Sequence, residues 1–134
     1  MADTVTSEYI YNGQRRKVLH LTCISDGTGE SGVAKADISA LTFRGDGSVP
    51  DYSVVDMIDY NIQGFTSVRL YWDHTTDDEI AILPQGSGTI DWNAIGGKKD
   101  PKTSGGTGDM LLSSAGAVSG ATYDITIYFR PKKA

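Results

Sequence analysis

Apolar and polar residues alternate with a period of two over several stretches of this chain. That is the spacing of strands with one buried face. In residues 17–24, Leu19, Leu21 and Cys23 face one way and Val18, His20, Thr22 and Ile24 the other, and the first set is predicted to face a core. Residues 121–130 set Tyr123, Ile125, Ile127 and Phe129 against Thr122, Asp124, Thr126 and Tyr128. Val68, Leu70 and Trp72 alternate with Arg69, Tyr71 and Asp73, apolar side inward. The longest regular run, residues 53–63, sets Val54, Asp56, Ile58, Tyr60 and Ile62 against Val55, Met57, Asp59 and Asn61. Its β-branched and aromatic content favours strand over helix. Residues 4–11 are strand-like, and the Asn12-Gly13 that follows is a hairpin signal because both residues tolerate positive φ. Residues 34–41 place Ala34, Ala36, Ile38 and Ala40 on one side. Shorter strands are predicted at 80–83, stopped by Pro84, at 89–92 and at 109–113.

Polar, glycine-bearing segments separate these runs: residues 25–32, 43–52, 64–66, 85–88 and 114–120, with an acidic loop at 74–79. Residues 96–108 are almost all Gly, Lys, Ser and Thr and have little to bury. They are expected to be mobile or ordered by a partner. Pro131 ends the last strand. The count is eight or nine strands with turn signals about every ten residues, which predicts an all-β chain rather than parallel βαβ units. The expected architecture is a single-domain β-sandwich, jelly-roll-like, with long Gly-rich loops. It covers residues 1–134, with an extended N-terminal arm and a mobile 96–108 loop.

Composition narrows the partners. The 134 residues suit one domain, and the apolar fraction of 39% is modest because 16 positions are glycine. The net charge of −5 supplies no cationic footprint for nucleic acid, and Arg15-Arg16-Lys17 and Lys132-Lys133 are too short to change that. One cysteine cannot form an internal disulfide. No secretory leader pattern opens the chain and no run approaches the ~20 apolar residues of a membrane span. The expectation is therefore no nucleic acid, no membrane, and synthesis in a reducing cytoplasm.

No catalytic residue is assigned. Cys23 and His20 lie on opposite faces of one strand, so they cannot form a dyad, and Cys23 is read as a core residue. His74 stands beside Asp73 without a strand–elbow–helix signature around a serine. One Cys and two His cannot build a structural zinc site of clustered Cys and His. Asp73, Asp77, Asp78 and Glu79 are the only oxygen-rich cluster, but their spacing matches no calcium loop, and they are read as a solvated acidic turn. No metal and no cofactor are expected. The Gly-rich segments 27–29 and 105–108 lack the Gly-Lys-Ser/Thr of a phosphate loop. Of the two candidate sugar platforms, Trp72 and Trp92, the first alternates into the predicted core. An all-β frame with long polar loops points to contact rather than catalysis.

A set of ordered landmarks spans nearly the whole chain. They are Ala2-Asp3-Thr4-Val5-Thr6, Ile24-Ser25-Asp26-Gly27-Thr28-Gly29-Glu30, Asp37-Ile38-Ser39-Ala40-Leu41 and Phe65-Thr66-Ser67-Val68-Arg69-Leu70-Tyr71-Trp72-Asp73. Gly96-Gly97, Asp100-Pro101 and Thr107-Gly108-Asp109 follow, then Gly120-Ala121-Thr122-Tyr123-Asp124-Ile125-Thr126-Ile127. As a set they resemble small virion structural proteins of tailed bacteriophages, of the capsid decoration or cement type. The resemblance implies a jelly-roll-like, non-enzymatic domain present in many copies on the capsid exterior, where it stabilises the mature head. The partners it implies are the major capsid protein and neighbouring copies of the chain, in a homo-oligomer with a trimer favoured. A tail or head–tail connector component and a carbohydrate- or receptor-binding module are the alternatives. The contacts expected are Thr4, Val5, Thr6, Glu8 and Tyr9 in the N-terminal strand, and Lys98, Lys99, Asp100, Lys102 and Thr103 in the 96–108 segment.

Overall fold

The computed structural model describes residues 3–13, 15–41, 50–101 and 107–132, and these form an all-β sandwich. Eight strands follow one another: β1 (Thr4–Asn12), β2 (Lys17–Asp26), β3 (Val33–Ala36), β4 (Tyr52–Trp72), β5 (Asp78–Asp91), β6 (Lys98–Lys99), β7 (Met110–Ala115) and β8 (Ser119–Lys132). The order across the sheet is β1-β2-β8-β4-β7-β3, with β5 and β6 also on β4, and every pairing is antiparallel. The non-consecutive neighbours β2–β8, β8–β4, β4–β7 and β7–β3 give the crossovers of a jelly-roll-like sandwich that is nearly closed like a barrel.

One strand belongs to both layers. Residues 52–63 of β4 pair with β8, and residues 67–72 of the same strand pair with β7. The opposite edge of β4 is followed along most of its length by β5 and then β6. The fold-over lies between Ile62 and Ser67. Four β4 residues there, 63–66, stand against the single residue Gln85 of β5. Inserting extra residues on one strand bends it and raises its twist. Gly64 takes φ +86° at this corner, and a Cβ on it would lie 2.8 Å from the Cβ of Ala121 in β8. Phe65 turns inward, fully buried, with its ring 5.9 Å from that of Tyr123. Because the strand doubles back, its two ends meet: Trp72 Nε1 donates to Ser53 Oγ at 3.0 Å, both residues being fully buried.

The alternating runs bury the faces they predict, except that Tyr71, expected on the outer face with Arg69, is buried as well. Leu19, Leu21 and Cys23 from β2 meet Tyr123, Ile125, Ile127 and Phe129 from β8, and Val68, Leu70 and Trp72 close the core from the other layer. Residues 53–63 are strand, but Val54, Val55 and Asp56 are all buried in succession, because a register shift between Val55 and Met57 breaks the strict alternation.

Other elements depart from the sequence pattern. Residues 34–41 are not one strand: β3 stops at Ala36 and a 3-10 turn, Ile38–Ala40, follows. Asp37 caps that turn by accepting from Ser39 N at 3.2 Å, and Ile38 N donates to Asp109 Oδ1 at 2.9 Å. Pro84 does not end its strand, and 85–88 is not a turn: β5 runs through both. Among the described residues β5 pairs with β4 alone, so a proline without an N–H is tolerated on that edge. Pro131 likewise lies inside β8, past the last β2 partner of that strand, Phe129. The 64–66 segment bends the chain without leaving the strand. Residues 43–49 of the predicted 43–52 loop lie outside the described residues.

Gly64→Ala should destabilise the fold by about 2–4 kcal/mol, the sum of a left-handed φ without glycine and a contact that must be relieved. Urea denaturation measures it, and an unchanged midpoint would show that the corner can move.

Candidate functional site

The N-terminal contact residues are brought together on β1. This strand is not a detached arm, since it pairs with β2 along its length. Among the described residues it has no partner on its other side. Eight of its nine residues are exposed, Thr4, Val5, Thr6 and Glu8 among them. Tyr9 is the exception: it is half-buried against Phe129, with ring centroids 6.4 Å apart. Burial, aided by Asp37 and Asp109, pushes its hydroxyl up to about 12. Ile10 and Tyr11 at the end of β1 and Ile24 beside Thr4 leave more than half of their surface in water, so the edge carries apolar as well as hydrogen-bonding capacity.

The second set of contact residues behaves differently. Residues 96–101 are built into the sandwich. Arg130 grips the buried Asp56 with two nitrogens, Nε to Oδ2 at 3.0 Å and Nη2 to Oδ1 at 2.9 Å, and Nη2 also donates to Gly96 O at 2.7 Å. Gly97, at φ +96°, passes so close to β4 that a Cβ would come within 2.5 Å of Val54 Cγ1. Lys98 and Lys99 pair with Val55 and Val54. Lys98 Nζ donates to Ile80 O at 2.7 Å and sits over the Trp92 ring. Lys99 is exposed above Tyr52. Asp100 has no exposed surface and is therefore not a surface contact. Lys102 and Thr103 lie outside the described residues.

The acidic turn does not gather its carboxylates around a common point. Asp73 Oδ2 accepts from Thr107 Oγ1 at 3.0 Å, Asp77 Oδ1 caps His74 N at 3.0 Å, and Glu79 pairs with Arg69. Asp78 alone turns towards His74. The partner of His74 is not its neighbour Asp73 but Asp100, 26 residues on, at 2.7 Å. No spacing rule in the sequence pairs these two residues. The pairing follows from β6 lying along β4.

The Gly-rich loop after β2 is ordered by a polar plug. Asp3 Oδ1 accepts from Ser25 Oγ, Asp26 N and Gly29 N at 2.8, 3.2 and 3.3 Å. Glu30 takes a hydrogen bond from the Tyr123 hydroxyl at 2.5 Å and an ion pair from Lys35 at 2.6 Å, with both charged side chains buried. Cys23 lies against this plug. Burial, then Asp3 and Glu30, raise its thiol from 9.0 to about 12, which removes the thiolate that nucleophilic chemistry requires.

Across β8, β4 and β5 the outer face is polar. Asp124, Thr126, Asp59, Asn61, Ser87 and Thr89 line a shallow open groove of about 420 Å³, in which Thr89 donates to Asp59 at 2.6 Å. His20 and Asp124 meet beside it at 2.6 Å. Neither tryptophan offers a bare ring to a sugar, since Trp72 is fully buried and Trp92 is half-buried under Lys98.

Comparison with protein-family models, with curated proteins and with solved structures returned no match. What the fold defines is therefore a class, an all-β sandwich in which β1 has, among the described residues, no strand on its outer side.

Three outcomes test the plug. Glu30→Ala strands a buried ammonium and should cost about 3–5 kcal/mol in chemical denaturation. Cys23 should resist thiol reagents in the native protein at pH 8 and react at once in denaturant. Because the folded thiol titrates above its unfolded value of 9.0, the stability it contributes is complete below pH 9 and is lost as pH climbs from 9 towards 12. Cys23→Ala should flatten that alkaline decline.

Proposed function

We propose that the chain is a non-enzymatic structural protein of a tailed-phage particle, a decoration or cement protein that binds the mature head through the free edge of β1. The observation that carries this reading is that edge. It is nine residues long, exposed at eight of them, contains no Lys, Arg or Pro, and has apolar Val5, Ile10 and Tyr11 along it. Its one charge is Glu8 and a register shift interrupts it between Tyr9 and Tyr11, so the stretch Thr4–Ser7 is the part that can act as a template for strand addition by another chain. The sequence resemblance points the same way. The raised Cys23 thiol supports a role without nucleophilic catalysis. Binding the expanded lattice in preference to the unexpanded one would stabilise the mature head by mass action. Copies arranged around a local symmetry axis, a trimer among them, would each present one β1 edge to the shell or to a neighbour.

Co-sedimentation with heads of the phage that encodes the chain is the test. Saturable binding to expanded heads, absent with unexpanded ones, is the expected result. Val5→Lys with Ser7→Lys, both on exposed β1 positions, should weaken that binding by at least about tenfold while stability stays within about 0.5 kcal/mol. Binding to neither head form would overturn the decoration reading. A closed ring found by mass measurement would then place the protein at the tail or connector.

A further inference from the structure

Two neighbouring side chains, His74 and Asp78, converge with the distant Asp100 at one end of the sandwich. His74 lies in the turn between β4 and β5, Asp78 opens β5, and Asp100 follows β6 directly. His74 Nε2 is 2.7 Å from Asp100 Oδ1 and 3.7 Å from Asp78 Oδ2. One donor atom from each of the three residues lies within 4.8 Å of the other two. The imidazole is 6% exposed, the Asp100 carboxylate 0% and the Asp78 carboxylate 19%.

The backbone holds the three segments in place independently of these side chains. Asp73 N donates to Asp109 O at 2.9 Å, Gly108 N to Asp73 O at 2.9 Å, and Asp100 N to Ser53 O at 3.1 Å. His74 N is capped by Asp77. The donors are thus presented by a fixed frame, with two of them buried and the third, Asp78, at the rim, where it leaves a route in from solvent.

The spacing suits a small divalent cation. Nitrogen and oxygen ligands sit about 2.0–2.2 Å from zinc, which sets donor atoms roughly 3.0 Å apart in cis octahedral and roughly 3.4 Å apart in tetrahedral geometry. The observed 2.7 and 3.7 Å bracket those values, so small side-chain rotations would admit an ion. Electrostatics point the same way. Two carboxylates share a water-poor pocket with one imidazole, and a buried charge is tolerated when paired or bound to a metal. The donor set also chooses among cations. Calcium and magnesium favour all-oxygen cages, whereas an imidazole nitrogen beside carboxylates favours zinc, manganese, cobalt or iron.

We propose that His74, Asp78 and Asp100 form a binding site for one divalent first-row transition-metal ion, of which zinc is the type, with water completing the coordination. The ion joins the β4–β5 turn to the end of β6. It binds the folded chain and so stabilises it. The site does not depend on the phage reading, and its test does not use phage particles.

The full chain, stripped of metal by chelation and dialysis, is titrated with zinc chloride in a calorimeter and melted with and without zinc, calcium or magnesium chloride. One equivalent of zinc should bind and raise Tm, while calcium and magnesium at the same concentration should not. Asp78→Asn, at the rim, should weaken zinc binding by about tenfold or more. His20→Gln, which removes the half-buried histidine beside Asp124, should leave it unchanged. The two imidazole rings also report without mutation: in nitrogen-correlated NMR spectra zinc should shift the His74 ring resonances and spare those of His20. No zinc response, a response that survives in Asp78→Asn, or shifts confined to His20 would each overturn the site. His74 and Asp100 would then be an ion pair only.

Discussion

The bend in β4 is the constraint on which the rest of the molecule depends. Twenty-one residues in one strand, left straight, would reach roughly 70 Å, while a compact chain of this length has a radius of gyration of about 14 Å. The strand must fold over to fit, and where it does so decides which residues meet. Phe65 enters the core at the corner, Trp72 reaches Ser53, and β8 and β7 are set on successive lengths of one edge. The hydrogen bond between Trp72 and Ser53 matters because both residues lie where water cannot substitute for a lost partner. It ties the ends of one strand across the sandwich, and the two layers are thereby held in one register.

Much of the fold was legible where burial is one-sided. β2 and β8 alternate cleanly because each has one face on the core and a more exposed one opposite, and the second half of β4 does so up to Leu70, after which Tyr71 is buried together with Trp72. The first half of β4 was legible as strand but not in its facing, because four consecutive residues, Ser53 to Asp56, are buried around the shift after Val55. The punctuation residues misled for a related reason. Pro84, Gly86, Gly88 and Pro131 carry the local signals of strand ends, yet each lies in a stretch that among the described residues pairs with β4 on one side only, where a proline or a glycine does not interrupt the strand. Residues 96–101 were illegible for the opposite reason. They have little apolar surface of their own, and what orders them is Arg130, a residue thirty-odd positions later, together with the space that glycine leaves at position 97. The meeting of His74 with Asp78 and Asp100 is a product of that same docking, and no local spacing announces it.

A glycine-rich loop is easily taken for slack chain, and the segment after β2 shows why composition alone does not settle this. Its backbone N–H groups are collected by one carboxylate, Asp3, and its acidic end is buried against Lys35 and Tyr123. Glycine here permits the tight path, and the polar plug then fixes it. The same plug shields Cys23, so one group of interactions both orders a loop and closes the only thiol. Flexibility of the described loops is therefore a poor basis for expecting contact, and the weight moves to the sheet edge.

That edge is where stability and assembly pull apart. A strand with Val5, Ile10 and Tyr11 exposed and Glu8 as its one charge is a liability in a free monomer, because its unpaired N–H and C=O groups can template an extended chain. The net charge of −5 offsets this by keeping like molecules apart in solution. Charge repulsion is long-ranged and screened by salt, whereas strand pairing is short-ranged and directional. On the proposed reading, a surface built this way would stay dispersed until a partner supplied a complementary edge at close range, since only then does the short-ranged, directional term exceed the repulsion.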